Sequence, residues 1–302
     1  MEEALIDKVR MNIVLADVGQ TPGLCPHSVV FGFNERRLAK RPLSFYEGAM
    51  HEALLEKYEL KRYRAAIESV KTACLVGEVT TEQTESFCGG FPKVDPGFVW
   101  PRKDGYPLHF VAQMSCKDLG LNTPDSGSLL FFYDNRHAGY SPNDLGHAVV
   151  LHQQGERALT GGDLPTCEVK QFFGLMTARV QPKVYEKVSV RFRPGDCYPS
   201  LERNLIQFED DGWEEAYSEF VYESSHDIQS GGYPHPIQSD CMEKDCVKAF
   251  STGTPKDWRL FLQLFEVGDM RWGDAGALYW FILNEDLEKG RFDRVWMVTQ
   301  CG

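Results

Sequence analysis

The chain has 302 residues, of which 42% are hydrophobic and 25% are charged, and these proportions are typical of a globular protein rather than a disordered one. Its formal net charge of −12 argues against nucleic-acid binding, which needs a basic surface, and permits attraction to a basic protein partner. No apolar run approaches the roughly 18 residues of a membrane span, and the acidic N-terminus does not resemble a secretory signal, so we expect a soluble cytoplasmic protein that binds no membrane.

The first 70 residues predict two helices joined by a loop. Apolar residues at near-helical spacing predict the first helix over about residues 5–14. Ser44 followed by Glu47 forms a capping box, in which each side chain satisfies a free backbone N–H, and predicts a second helix that runs to Val70. We therefore expect residues 1–70 to form a helical extension packed on the body of the protein.

From Cys74 the pattern predicts a sheet-rich body. Short apolar runs separated by Gly, Pro, Asp and Asn replace the long helical pattern. Residues 110–114 and 129–133 are apolar at successive positions, as in strands covered on both faces. Residues 148–151 predict a third strand.

The rest of the chain predicts an insertion over about residues 160–225 and then a return to the earlier pattern. The expected elements are strands over residues 168–176 and 184–192, an amphipathic helix over 213–221 capped by Asp210 or Asp211, a short helix from Asn284 to Gly290 and a strand over 295–298.

Three segments recur in the same order, roughly 142 to 150 residues apart, and such a recurrence indicates an internal duplication. The matched segments are Gly89-Gly90-Phe91-Pro92 with Gly231-Gly232-Tyr233-Pro234, residues 110–114 with 260–264, and residues 127–132 with 276–281. We predict an α+β fold in which two repeats, about 74–155 and about 226–302, form one compact sheet-rich unit over residues 71–302.

Gln113 and Gln263 are the first candidate site residues, because each interrupts an apolar strand at the same place in its repeat. A buried amide must find hydrogen-bond partners, so a structural bridge to backbone is the simpler interpretation. Two amides that face a common cleft are the functional alternative.

Two polar-aromatic loops supply further candidates, Trp100 and Arg102 in the first repeat and Asp269, Arg271, Trp272 and Asp274 in the second. A guanidinium, an indole and carboxylates close together can build a recognition surface or an ion pair. Equally, the acids can cap a turn and the indoles can cover the core.

Catalytic and cofactor motifs are missing from the sequence. It contains no G-x-S-x-G elbow, phosphate loop, dinucleotide fingerprint or H-E-x-x-H, so any catalytic residue remains unknown at this stage, and we predict no cofactor. The residues most like a metal site are His226, His235, Asp240, Cys241 and Cys246, whose spacing is not that of structural zinc sites. We predict no metal, and we interpret the nine cysteines, which never form C-x-x-C, as reduced thiols.

As an ordered set, the motifs of residues 70–302 resemble the YwqG-like family, a group of bacterial-type proteins whose domain has no known function. The motifs are Gly89-Gly90-Phe91-Pro92, Trp100-Pro101, Gly105-Tyr106-Pro107-Leu108, Phe110-Val111-Ala112-Gln113, Gly127-Ser128-Leu129-Leu130-Phe131-Phe132-Tyr133-Asp134, Gly232-Tyr233-Pro234, Ile237-Gln238-Ser239-Asp240, Trp272-Gly273-Asp274-Ala275-Gly276, Leu278-Tyr279-Trp280-Phe281-Ile282, Phe292-Asp293-Arg294-Val295-Trp296 and Gln300-Cys301. The resemblance implies an intracellular α+β protein with an internal repeat, and it adds Gln238 and Asp240 to the binding candidates. It supplies no reaction, cofactor or catalytic residue. Members often lie near toxin and immunity genes, which favours protein binding.

Two functional hypotheses follow. The first is a non-enzymatic cytoplasmic protein, of the toxin-immunity or adaptor type, that binds a basic protein partner. The alternative is an enzyme or small-molecule binder with its site in the cleft between the repeats, where Gln113, Gln263 and the loop of residues 269–274 would converge on one concave surface.

Overall fold

The computed structural model describes residues 47–120, 123–171 and 176–302. The helix predicted over residues 5–14 and Ser44 of the predicted capping box lie outside this part of the chain. The α-helices are α1 (Glu47–Lys57), α2 (Arg64–Val70), α3 (Cys116–Leu119), α4 (Asp211–Ser224), α5 (Met242–Phe250) and α6 (Asn284–Glu288). The strands are β1 (Thr72–Thr80), β2 (Phe87–Cys88), β3 (Lys93–Val94), β4 (Arg102–Lys103), β5 (Tyr106–Pro107), β6 (His109–Ser115), β7 (Ser128–Tyr133), β8 (Ala148–Gln153), β9 (Arg157–Ala158), β10 (Cys167–Gln171), β11 (Met176–Val180), β12 (Val188–Cys197), β13 (Ile228–Ser230), β14 (Trp258–Phe265), β15 (Ala277–Leu283) and β16 (Val295–Gln300).

Ten of these strands form one antiparallel sheet in the order β16-β15-β14-β13-β1-β12-β2-β6-β7-β8. The pair β1 and β12 lies at the centre. Strands β2, β6, β7 and β8 of the first repeat extend to one side, and β13, β14, β15 and β16 of the second extend to the other in the mirrored order. The prediction of an α+β fold with an internal duplication is confirmed.

The duplication extends to an irregularity of the hydrogen-bonding ladder. The register of β6 on β7 shifts between Phe110 and Ala112, and that of β14 on β15 shifts between Leu260 and Leu262. Each shift is a β-bulge, which bends the strand and increases its local twist. Both repeats therefore carry a bulge at the same position of the same strand pair.

The inner face of the curved sheet is filled by one core to which both repeats contribute. Phe131 of the first repeat contacts Phe261 and Trp280 of the second, with ring centroids 5.6 and 5.5 Å apart. All three side chains are fully buried. The space between the repeats is therefore occupied by packed aromatic and aliphatic side chains in this part of the sheet.

Separate layers cover the outer faces. Helix α5 packs Met242 and Cys246 against β14, β15 and β16. In the first repeat, the loop around Trp100 covers the outer side chains of β6 and β7. Helices α1, α2 and α4 form a further hydrophobic cluster around Leu55 and Phe220.

The two edge strands of the sheet approach each other, so that the sheet nearly closes. The N–H of Thr299 donates to the carbonyl oxygen of Ala138 at 2.9 Å, and the indole N–H of Trp296 donates to that of Gly139 at 2.9 Å. A ring nitrogen of His147, beside β8, lies 2.7 Å from the carbonyl oxygen of Met297.

The structure corrects three of the predicted elements. The strand predicted over residues 168–176 is instead two antiparallel strands, β10 and β11, with Gln171 opposite Met176. The helix predicted to run to Val70 is broken at Glu59, whose left-handed φ of 57° separates α1 from a 3₁₀ turn. The strand predicted over residues 184–192 begins later, at Val188, and extends to Cys197 because it pairs along the whole of β1. No helix within the three described ranges is long and apolar enough to cross a membrane.

The predicted helix α4 and its cap are confirmed. The carboxylate of Asp210 accepts hydrogen bonds from the N–H groups of Gly212 at 3.0 Å and Trp213 at 3.2 Å. These bonds satisfy two of the backbone donors that a helix start leaves free.

Candidate functional site

The predicted site residues Gln113 and Gln263 hold the chain around the two Gly-Gly-aromatic-Pro turns. Each side chain is buried and bridges two backbone groups of its own repeat. The bonds run from Lys93 N–H to Gln113 Oε1 at 2.9 Å, from Gln113 Nε2 to Glu85 O at 3.3 Å, from His235 N–H to Gln263 Oε1 at 2.7 Å, and from Gln263 Nε2 to His226 O at 2.6 Å. Lys93 and His235 each directly follow the proline of the turn, so the two amides have the same structural role.

A second pair of glutamines, which the sequence reasoning missed, repeats this arrangement. The amide oxygen of Gln153 accepts from the N–H of Asp95 at 2.9 Å, and that of Gln300 accepts from the N–H of Ile237 at 2.8 Å. Asp95 and Ile237 each lie three residues after the proline of the turn. Their position in the sequence could have identified them, because Gln153 and Gln300 each end the last strand of a repeat.

The two predicted tryptophans cover the core. The indole N–H of Trp100 donates to Leu108 O at 2.8 Å, and that of Trp272 donates to Phe265 O at 3.1 Å. Both side chains are buried, and Trp272 meets the ring of Tyr133 edge-on at 5.3 Å. Their polar atoms are thus occupied by backbone.

The charged candidates of the loops also bond mainly to backbone. Arg102 donates to Gly105 O at 2.7 Å, and Arg271 donates to Gly268 O at 3.0 Å. Asp269 accepts from the N–H of Glu186 at 2.7 Å. Asp274 is exposed, and its carbonyl oxygen accepts from the N–H of Gly302 at 2.8 Å.

Gln238 and Asp240 lie on the segment that leads into α5. The amide of Gln238 donates to Cys301 O at 2.7 Å. The carboxylate of Asp240 is buried and accepts from the guanidinium of Arg203 at 2.6 and 2.5 Å. These two side chains tie the chain end and the segment before α4 to the second repeat.

A polar cleft lies where the central strands meet the helices, and none of the ten predicted site residues lines it. Its volume of about 190 Å³ is well above the ~10–15 Å³ that one water needs. The lining side chains come from α1, from the end of α2, from the end of β12 and from the region after α4, and they are Met50, His51, Glu52, Leu54, Glu68, Lys71, Asp196, Tyr198, Ser224 and His226.

A continuous chain of polar contacts crosses this cleft. The hydroxyl of Tyr198 lies 2.6 Å from Nδ1 of His51, and Nε2 of His51 lies 2.6 Å from a carboxylate oxygen of Glu68. The ammonium of Lys71 then lies 2.9 Å from Glu68 and 2.9 Å from Asp196. Five titratable side chains are thus in direct contact.

The charges of the cleft favour a cationic ligand. The hydrogen bond from Lys71 lowers the pKa of Glu68, and those to Glu68 and Asp196 raise the pKa of Lys71. At neutral pH the Glu68 carboxylate and the Lys71 ammonium are therefore charged. The carboxylates of Glu68 and Asp196 both pair with the ammonium of Lys71, so this group of three side chains carries one excess negative charge.

Local structure explains how the chain builds this cleft. Glu68 and Lys71 are three residues apart at the end of α2, a spacing that places both side chains on one side of a helix. Along β12, successive side chains point to opposite faces, so Asp196 faces the cleft and Cys197 points away, and Tyr198 lines the cleft directly after the strand ends. Because these groups come from segments more than 100 residues apart, the sequence reasoning missed them.

Within the described ranges, no group of three or more His, Cys, Asp or Glu side chains is placed so that it could hold a metal ion. A ring nitrogen of His226, from the cluster most like a metal site in the sequence, lies 3.0 Å from the carbonyl oxygen of Asp196.

Comparison with known proteins places the chain in a family without assigning an activity. Among curated proteins, none matches it. The model of a domain of unknown function, DUF1963, matches residues 86–301, which include both outer halves of the ten-stranded sheet, β12 and α4. His51, Glu68 and Lys71 of the cleft precede the matched range, whereas Asp196 and Tyr198 lie within it. The chain therefore belongs to the DUF1963 family.

Proposed function

We propose that the protein is a non-enzymatic, cytoplasmic binding protein of the YwqG-like type, and that it recognises a basic protein partner in a toxin-immunity or adaptor role. A lysine or arginine side chain of the partner would enter the polar cleft. The observation that carries this proposal is the excess of carboxylates in the cleft, where Glu68 and Asp196 share the ammonium of Lys71.

The geometry supports a guanidinium or ammonium as the bound group. Carboxylate oxygens accept charge-assisted hydrogen bonds, which are stronger than neutral ones, and arginine can bind a carboxylate through two parallel bonds. The hydroxyl of Tyr198 adds a further acceptor at the same cleft. A charged group on the end of a flexible side chain can reach this site more easily than a bulky ligand, since the cleft holds about 190 Å³.

The acidic surface supports the choice of a basic partner. Helix α4 presents Asp211, Glu215 and Glu219 to solvent. Together with the net charge of −12, such carboxylates attract a cationic partner over distances of about a Debye length, roughly 8 Å at physiological salt. Association should therefore slow as the salt concentration rises.

The test is a titration of the full chain with a fluorescent nona-arginine peptide, followed by anisotropy. We expect the double variant Glu68→Gln, Asp196→Asn to weaken binding by at least about tenfold, because the loss of even one charge-assisted hydrogen bond costs roughly 1.5–3 kcal/mol and about 1.4 kcal/mol is a factor of ten in Kd. A charge-matched control is Glu168→Gln, Glu288→Gln, two exposed acids away from the cleft. An equal loss in both double variants would show that only net charge matters and would refute the cleft as the site.

A second candidate function rests on the contact chain from Tyr198 through His51 to Glu68. Such a chain can move a proton to or from a bound molecule, as in general acid–base catalysis. The same cleft would then bind a small amine as ligand or substrate. Calorimetry with putrescine separates the two, because binding of putrescine without binding of the nona-arginine peptide favours this alternative.

A further inference from the structure

We propose that Cys74 and Cys197 form a dithiol that a hydroperoxide oxidises reversibly to a disulfide between β1 and β12. This proposal is independent of the proposed function. It rests on the contacts of the two sulfurs, on the turn built around them and on the contrast with the other described cysteines.

The two cysteines lie on the same face of the central strand pair. Cys74 is directly opposite Gly195, and Cys197 is directly opposite Thr72, so the cysteines are diagonal neighbours on one face. Their side chains belong to one buried cluster, and the sulfur of Cys197 and the Cβ of Cys74 both lie against Gly232. Both thiols are reduced, and closing the disulfide requires a small backbone shift as well as side-chain rotation, because diagonal Cα atoms lie about 7–8 Å apart and bridged ones within about 7 Å.

The second Gly-Gly turn is built around the sulfur of Cys197. The N–H of Tyr233 donates to this sulfur at 3.1 Å. Gly232 has a φ of 70°, and a Cβ at this position would overlap the same sulfur. In the first repeat, the equivalent Gly90 instead faces the side chain of Lys187, so only the second turn encloses a thiol.

The bond from the N–H of Tyr233 favours the thiolate, which is the form that reacts with peroxides, and it acts against the bond that the Cys197 thiol donates to the carbonyl oxygen of Thr72 at 3.5 Å. The hydrogen bond from Cys74 is the largest cause that lowers the pKa of Cys197, and the bond from Tyr233 acts in the same direction against burial. Burial raises the pKa of Cys88 to about 12 and that of Cys116 to about 11. Cys197 therefore differs from these buried thiols in the direction of its shift.

The reaction has two balanced steps. The Cys197 thiolate attacks one oxygen of the hydroperoxide, the O–O bond breaks, and Cys197 becomes a sulfenic acid while the peroxide leaves as an alkoxide or hydroxide that takes up a proton. The Cys74 thiolate then attacks the sulfenic sulfur, the S–O bond breaks as the S–S bond forms, and the hydroxide that leaves takes up a proton from solvent to become water. Two thiols lose two electrons, and the peroxide is reduced.

The experiment exposes the full-length protein to hydrogen peroxide, blocks free thiols and maps peptides by mass spectrometry. Trypsin together with a protease that cleaves after glutamate separates Cys74, on residues 72–78, from Cys88. We expect a disulfide-linked pair of the Cys74 and Cys197 peptides that a dithiol reductant removes. Because this measurement uses the unmodified chain, it does not depend on the folding of any variant.

A variant identifies the first step. In Cys74→Ser the sulfenic acid has no resolving thiol, so dimedone should label Cys197 at least about tenfold more than Cys88. The matched control Cys88→Ser should still form the Cys74–Cys197 link. Absence of this link in the unmodified protein, or oxidation of Cys88 to the same extent as Cys197, would overturn the proposal.

Discussion

Four glutamine side chains hold the segments that follow the two Gly-Gly turns, two in each repeat. An amide suits this role because it carries an acceptor and donors on one planar group and can bond to an N–H and a carbonyl at once. A buried backbone group without a partner destabilises the fold, so a turn that leaves the sheet needs such a bridge. The residues that interrupt the apolar strands are therefore required by the turns beside them.

The replacement Gln263→Leu tests this role. It removes the acceptor for His235 N–H and the donor to His226 O. We expect a loss of about 2–4 kcal/mol in the free energy of unfolding, because two buried backbone groups lose their partners at roughly 1–3 kcal/mol each. Urea denaturation followed by tryptophan fluorescence measures the change. The control Gln154→Leu, at an exposed position, should change stability by less than about 0.5 kcal/mol, and an equal effect of both would contradict the bridging role.

At the scale of elements, α5 shows how a covering helix places acids near the core. It buries Met242 and Cys246 against β14–β16, and its first turn carries Glu243 and Asp245. Carboxylates at a helix start interact favourably with the helix dipole. Burial nevertheless raises the pKa of Asp245 to about 6 from its ordinary value of 3.8.

This shift predicts a pH dependence of stability. Because the folded pKa of Asp245 exceeds the unfolded value, the folded state binds more protons between about pH 4 and 6, and stability falls as the pH rises through this window. Asparagine at position 245 cannot ionise. The free energy of unfolding of Asp245→Asn minus that of the unmodified protein should therefore rise by about 1–3 kcal/mol between pH 4 and pH 7. Urea midpoints at pH 4.5, 5.5 and 7 measure this difference.

The control is Asp211→Asn, at an exposed acid in the first turn of α4. This variant should lose stability with rising pH at the same rate as the unmodified protein. If Asp245→Asn also lost stability at that rate, Asp245 would not be the group responsible.

The elements that were predicted from sequence are those whose signal is local. The apolar runs of β6 and β7 and the stripe and cap of α4 depend on neighbouring residues only. The break at Glu59 depends on how the helices pack, and the end of β12 depends on its pairing with β1 across the chain. The cleft was missed for the same reason, since long-range pairing brings Lys71 to Asp196.

At the scale of the whole molecule, the two repeats are joined in three ways. The strands β1 and β12 connect them through the centre of the sheet, hydrogen bonds from β16 to Ala138 and Gly139 in the connection between β7 and β8 join them at the other side, and one aromatic core fills the inner face. Neither repeat encloses this core alone, because Phe131 of one half packs against Phe261 and Trp280 of the other. We therefore expect the halves to stabilise each other.

A double-mutant cycle on Phe131 and Phe261 measures this mutual stabilisation. The rings lie 5.6 Å apart across the two repeats, so Phe131→Leu and Phe261→Leu should show a coupling energy of about 0.5–1.5 kcal/mol, the range for aromatic pairs. The control cycle uses Phe110 and Phe281, which belong to different repeats but pack in separate clusters on the outer faces, and it should be additive within about 0.5 kcal/mol. Urea denaturation of the four proteins in each cycle supplies both values. If the Phe131–Phe261 cycle were also additive, the repeats would be stabilised separately, and the shared core would contribute only through the area that each half buries.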